Sequence, residues 1–233
     1  MSATTPIGSW QVQRGKGRPP AYKLSDGTRV PSVTTITGAR KAGIEGLLVW
    51  ANRLGQEGKD HREVRQQAAD AGSMCHAMVE NSIHARDIWE GITKLDEKTN
   101  AQAEQGFSSF QDWSRVMKVQ YLATETPMVS EKYAYGGTPD AIGKVDDKLA
   151  LLDWKSSNAV YGDYIIQLAA YQQLWNETHD PHIEAVYLLR FGKEHGDFHF
   201  HSYPGEVITM AFRAFLMLRE LYDLDKQLKK VAT

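Results

Sequence analysis

The run Leu149-Ala150-Leu151-Leu152-Asp153-Trp154-Lys155 constrains this chain more than any other stretch. Its apolar residues read as a buried strand, yet a carboxylate stands among them. A buried carboxylate is costly unless it is paired or coordinates a cation. Asp153 and Lys155 are two apart, so on a strand both project to one face. The bland reading is a structural Asp–Lys pair; the sharper one is a site. The preceding run, Thr138–Val145, carries Asp140 and can fold back on this strand as a hairpin through Asp146-Asp147. Two carboxylates and a lysine at one spot can hold a divalent cation and steady an anionic transition state.

The chain has 233 residues, enough for a sizeable core in one domain. Apolar content of 42% and charged content of 24% suit a soluble globular protein. No apolar run approaches the ~20 residues that span a bilayer, and residues 1–20 hold no apolar core of signal-peptide type. The expectation is a cytoplasmic protein with no membrane partner. The one cysteine, Cys75, rules out an intrachain disulfide, a four-cysteine zinc site and a four-cysteine iron–sulfur cluster. A net charge of −2 argues against a protein that merely coats nucleic acid, but not against an enzyme whose carboxylates lower the charge at its site. Local basic clusters (Arg14, Lys16, Arg18 and Lys23; Arg40 and Lys41; Arg62 and Arg65) read first as solvated surface.

Residues 1–20, rich in Gly, Pro and polar residues, predict a flexible arm. Residues 21–233 predict one domain: a mainly helical part over 21–120, a sheet core over 121–205 and a C-terminal helix over 206–233. A hairpin around Ser25-Asp26-Gly27 comes first, then a short helix capped by Ser32. Helices follow over Gly43–Leu54, His61–Ala85 and Thr99–Val119. Gly72 interrupts the second of these and marks a break or a close approach. Strands are expected over Tyr121–Val129, Lys132–Tyr135, Thr138–Val145 and Leu149–Lys155, with turns at Gly136-Gly137 and Asp146-Asp147. A helix capped by Asp163 then runs to Glu177. Strands Ile183–Arg190 and Asp197–Tyr203, the second carrying His199 and His201 in alternation, lead to the last helix, whose basic end suits a helix C-terminus. The order predicts an α/β fold with a central mixed sheet flanked by helices.

Taken singly, most candidate residues have ordinary explanations. His76 and Glu80 share a helix face, and so do Gln167 and Tyr171. Taken in order, the motifs resemble those of the PD-(D/E)xK nuclease superfamily, in its RecB-type branch. They stand as Ala71-Gly72-Ser73-Met74-Cys75-His76, Gly137-Thr138-Pro139-Asp140, Asp153-Trp154-Lys155-Ser156-Ser157 and Gln167-Leu168-Ala169-Ala170-Tyr171. Pro31-Ser32-Val33-Thr34-Thr35-Ile36 resembles an N-terminal segment of some viral and mitochondrial members. The likeness runs from about Tyr22 to Gly205.

The resemblance implies a restriction-endonuclease-like core and a metal-dependent DNA nuclease, foremost an exonuclease working on single strands or ends in replication, recombination or repair. Asp140, Asp153 and the main-chain carbonyl of Trp154 would be ligands of one or two Mg²⁺ or Mn²⁺ ions, with His76 completing the sphere or holding a second ion. Lys155 would orient the attacking water. Gln167 and Tyr171 would position the site, with Glu80 and Glu125 as further contributors. Ser32, Thr34, Thr35, Ser156 and Ser157 would touch nucleic acid. Some relatives carry an iron–sulfur cluster, which this chain's single cysteine cannot hold. No GxxxxGK[ST] motif is present, so no ATP-driven motor is expected in this chain. Small stand-alone members are frequent in phages, with replication or recombination proteins as possible partners.

Three alternatives remain at this stage. The chain could be a catalytically silent nucleic-acid-binding protein on the same fold, or a structure-specific endonuclease. It could also be a hydrolase using Asp140 and Asp153 as an acid–base pair, for example on a glycoside; Lys155 is expected to keep Asp153 ionised and so to disfavour this. Trp50, Trp89, Phe107 and Trp113 are stacking candidates, though most such aromatics are expected to be core.

Overall fold

A computed structural model describes residues 21–40, 44–191 and 198–232. The arm expected over 1–20 and Lys41 lie outside the described residues. The fold is a mixed α/β arrangement in chain order: α1 (Val33–Gly38), α2 (Ile44–Gln56), α3 (His61–Ile83), α4 (Glu97–Val116), β1 (Gln120–Thr124), β2 (Met128–Ser130), β3 (Tyr135–Gly137), β4 (Ala141–Val145), β5 (Lys148–Ser156), α5 (Gly162–Thr178), β6 (Ala185–Phe191), β7 (Phe198–Ser202) and α6 (Gly205–Val231).

Five strands form one sheet in the order β1-β4-β5-β6-β7. β5 lies at its centre, antiparallel to β4 and parallel to β6. The parallel step requires a crossover, and α5 supplies it. The sheet is therefore mixed and has helices on both faces. Alternation along β5 assigns its side chains. Leu149 and Leu151 enter one core with α1, α5 and α6. Ala150, Leu152 and Trp154 enter a second core with α3 and α4. Asp153 continues the first series, so its carboxylate emerges on the α5 side. Asp146 and Asp147 close the β4–β5 hairpin with φ of 48° and 60°, the two positive values that a type I′ turn requires.

The first strand is shorter than the sequence suggests. It ends at Thr124 because Glu125 takes a positive φ of 43°, and β2 belongs instead to a separate two-stranded ribbon with β3. Lys132 to Ala134 form a turn rather than a strand, and Gly136-Gly137 lie within β3 rather than in a turn. The glycines answer to close approach. A Cβ on Gly136 would sit 2.2 Å from the Tyr22 ring, and one on Gly137 would sit 2.6 Å from the Tyr171 ring.

Ser32 caps α1 as expected, its hydroxyl accepting from the Thr35 N–H at 3.0 Å. Asp163 does not cap α5: Tyr161 holds the cap position without a side-chain bond. Asp163 lies in the first turn and pairs with Arg40 at 2.9 Å, which joins the end of α1 to the start of α5. Among the described residues no helix is long and apolar enough to cross a membrane.

Candidate active site

Asp140 immediately precedes β4, and Asp153 stands on β5 just past the last β4–β5 pair, Ala141 with Leu152. The hairpin therefore brings the two carboxyls together, and they share a hydrogen bond. Asp140 Oδ2 also accepts from the Trp154 N–H at 2.8 Å. A strand residue's N–H and C=O lie along the same edge. The Trp154 carbonyl thus also faces the side from which β4 has departed. Lys155 Nζ lies 2.5 Å from Asp153 Oδ2, an ion pair that leaves this oxygen without a directed hydrogen bond.

Burial dominates the electrostatics. Asp153 is 2% exposed, and burial pushes its carboxyl up to about 7, against Lys155 and with the Asp140 charge adding to the rise. This overturns the expectation that Lys155 keeps Asp153 fully ionised: desolvation outweighs one ammonium. Burial also raises Asp140, opposed by Lys155 and the Trp154 N–H, with Glu125 adding to the rise. Burial works against the Lys155 ammonium, yet Asp153 and Asp140 more than offset it and its pKa is raised. The acid–base alternative fails on distance, because a glycosidase needs its carboxyls ~5 Å apart or more and these are hydrogen-bonded.

Other expected residues fall into three groups. Glu125 and Tyr171 join the carboxyls. The Glu125 N–H donates to the Asp140 carbonyl at 3.0 Å. The buried Tyr171 hydroxyl is raised well above its ordinary value by burial and by the two aspartates. Gln167 lies on the same helix; its amide donates to Thr37 Oγ1 at 3.2 Å, while its Oε1 is buried without a hydrogen-bond partner.

His76 and Glu80 stand on α3, which covers the other face. One turn earlier, a Cβ on Gly72 would meet Ser156 Oγ at 2.7 Å, so α3 touches the end of β5 here. Two turns after His76, the His84 Nε2 bonds Thr124 Oγ1 at 2.7 Å, at the end of β1. The row from Gly72 through His76 and Glu80 to His84 therefore runs from the end of β5 to the end of β1. Glu80 pairs with Arg86 at 3.7 Å.

Of the hydroxyl group, Ser32 is occupied locally with Thr34 and Thr35. Ser157 donates to the Ala159 carbonyl at 2.8 Å and shapes the turn after β5, where Arg190 Nη1 holds its own carbonyl at 2.7 Å. Ser156 and Ser157 line a groove of roughly 920 Å³ between α2, α3, the start of α4 and the start of α5. Arg65 and Lys98 supply positive charge there, Arg40 being paired with Asp163 on the same lining, and Trp50, Tyr161 and Tyr164 supply aromatic surface. Of the four aromatic candidates only Trp50 lines it. Phe107 and Trp113 are core, and Trp89 is half-buried beneath Lys94.

Sequence reasoning missed Tyr164, which lines the groove and presents its ring 5.9 Å from Lys155 Nζ. Its spacing, three before Gln167 and seven before Tyr171, was the available signal. It also missed Tyr22, whose hydroxyl bonds Thr138 Oγ1 at 2.8 Å across 116 residues of sequence, for which no local signal exists.

The donor set fits a hard divalent cation. It offers two carboxylates, with a third close by, and a main-chain carbonyl. Among the described residues no group of three or more His, Cys, Asp or Glu side chains could hold an ion unaided. Mg²⁺ commonly takes one or two carboxylates and keeps several waters, so the smaller set suffices.

No family model matches the sequence, and no curated protein does. Among solved structures, a candidate exonuclease of Eubacterium rectale is 13% identical and is covered over 63% of this chain and 64% of its own, with a TM-score of 0.48. The chain thus spans less than two thirds of that protein. An alkaline exonuclease of Laribacter hongkongensis is 13% identical over 68% of this chain and 91% of its own, with a TM-score of 0.36. At these values no activity or residue role is carried over from either.

Proposed function

We propose that this chain is a Mg²⁺- or Mn²⁺-dependent nuclease that hydrolyses phosphodiester bonds in DNA, acting as an exonuclease on single strands or ends. The observation that carries this reading is the Asp140–Asp153–Lys155 cluster, joined through Tyr164 to a groove bearing cations and aromatic rings. Asp140, Asp153 and the Trp154 carbonyl would hold the ion, with His76 or Glu125 adding a ligand. When bound, the ion supplies an acidified water and a Lewis acid for the phosphoryl oxygen. Lys155 orients the attacking water and offsets charge that grows on the phosphate. The Asp140–Trp154 bond fixes one carboxylate against the strand that carries the other. Gln167 and Tyr171, on one face of α5, hold the cluster from the side. The groove favours a single strand: rings stack on bases of any sequence while Arg65 and Lys98 track the backbone.

The test uses end-labelled linear single-stranded, linear double-stranded and circular DNA, each with Mg²⁺, Mn²⁺ or EDTA. Metal-dependent loss of linear DNA with circles spared is expected, and Asp153→Ala or Lys155→Ala abolishes it. Undiminished degradation by both variants sinks the assignment. Cleaved circles indicate an endonuclease. Binding without cleavage under either metal indicates the silent alternative.

A further inference from the structure

α6 is a 27-residue helix that joins the body only as far as Arg219, whose Nε donates to the Ala134 carbonyl at 3.0 Å. Its buried residues are Ile208, Ala211 and Phe215, and none from Arg219 onward is buried. Large apolar side chains nevertheless continue to its end. Met217 is 66% exposed, Leu221 50%, Leu224 48% and Leu228 67%. With Met210 and Val231, also exposed, and the half-buried Ala214 they form one series at alternating steps of four and three. That is the 3.5-residue repeat of a coiled-coil seam, with Ala214, Leu221 and Leu228 at a and Met210, Met217, Leu224 and Val231 at d. A helix that only covers a globular core has no need to continue a strict seam past that core. The overhang is also too short to be stable on its own strength, and the i,i+4 pairs Arg219–Asp223 and Asp225–Lys229, whose carboxylates are exposed, contribute little.

We propose that this stripe is the interface of a homodimer, an antiparallel coiled coil of two α6 helices. Self-pairing of the six seam positions from Ala214 to Val231 closes without a mismatched layer, Met210 lying beyond the paired stretch. Setting Leu221 against Leu224 of the second copy places Met217 against Leu228 and Ala214 against Val231, and the two-fold axis repeats each layer. This gives six apolar layers over ~26 Å of helix. The flanking charges decide the orientation. In a parallel pair Glu220, at g, would face Asp225, at e of the second copy, on both sides of the seam. In the antiparallel register Glu220 faces the neutral Gln227 instead. The stripe is on the helix that backs α5 from the side away from α3 and α4, so dimerisation leaves the groove open. The inference stands independently of the nuclease reading.

Sedimentation equilibrium of the full chain tests it, with far-UV circular dichroism as the folding control. The wild type is expected to sediment as a dimer at micromolar concentration. Leu221→Glu/Leu224→Glu should raise the dissociation constant by more than 100-fold with the melting of the body retained. Glu220→Lys should leave the dimer unchanged, since its Gln227 neighbour is neutral. A monomeric wild type at 100 µM (about a hundredfold above micromolar dissociation constants), or a dimer that survives the double substitution, overturns the interface. Marked tightening by Glu220→Lys overturns the antiparallel arrangement, because only the parallel one sets residue 220 beside Asp225.

Discussion

The carboxylate of Asp140 accepts a hydrogen bond from the main-chain N–H of Trp154 at 2.8 Å. Two residues fourteen apart along the hairpin are thereby locked at the point where β4 and β5 stop pairing. Strand-to-strand hydrogen bonding gives way there to side-chain-to-strand bonding, and Asp153 emerges at the same level. The relationship explains why the second carboxylate is buried but not isolated: its neighbours are Asp140 on one side and Lys155 on the other.

Asp153→Asn should stabilise the protein at pH 8 and much less at pH 5, in EDTA. The folded carboxyl titrates near 7 and the unfolded one near 3.8. Between those values the folded state holds the extra proton, so its stabilisation is complete below about 4, declines as pH rises through 7 and is absent above. A shift of this size corresponds to at most about 4 kcal/mol. Loss of the Lys155 pair offsets part of that, leaving a Tm gain of roughly 2–6 °C at pH 8. Thermal melts at both pH values decide it. An equal change at pH 5 and pH 8 would contradict the burial argument.

Gly72→Ala should destabilise the fold, although alanine is the better helix former by about 1 kcal/mol. The new Cβ would stand 2.7 Å from Ser156 Oγ and 2.8 Å from Ser156 Cβ, so either α3 or β5 has to move. A loss of about 1–3 kcal/mol by urea unfolding is expected. Gly72→Ala/Ser156→Gly should recover most of it. Failure of the double variant to recover would show that the helix is held away from the strand by something else.

Trp50→Ala should weaken binding of single-stranded oligonucleotides by about 1–3 kcal/mol, the value of one stacked base. Its effect should fall on KM with kcat little changed, because the ring lines the groove and not the carboxylate cluster. Arg65→Ala should reduce the salt slope of binding by about one. Fluorescence anisotropy over a salt series reads both. A change confined to kcat would place Trp50 at the chemistry instead of on the path.

His76→Ala should raise the metal concentration needed for half-maximal cleavage about 10–100-fold, as loss of a ligand or its support does, with partial recovery in excess Mn²⁺. The position of His76 on a helix row that spans from the end of β5 to the end of β1 motivates this. Unchanged metal dependence would make it a packing residue.

The sequence of β5 was enough to reveal the centre of the molecule. A carboxylate within Leu149–Trp154 could be reconciled only with a site or an internal pair, and alternation put Lys155 beside it. The hairpin turn, the helix order and the mixed sheet were legible for the same reason: periodicity and turn chemistry act over a few residues. Other features were not legible. The roles of Gly136 and Gly137 were misread as a turn because the rings that crowd them, Tyr22 and Tyr171, come from distant segments. The break at Glu125 and the pairing of Asp163 with Arg40 likewise depend on partners that local sequence does not specify.

The sequence by itself determined which residues carry charge, which strand holds them and which face they share, since those follow from a two-residue period. Only the tertiary structure decided that burial outweighs Lys155 and lifts Asp153 to about 7, because desolvation depends on how completely the packed elements exclude water from the carboxyls. It alone also showed that one of four candidate aromatics, Trp50, lines the groove, and that the seam on α6 extends past the core it might have covered. Composition and periodicity are local quantities, whereas exposure belongs to the packed whole.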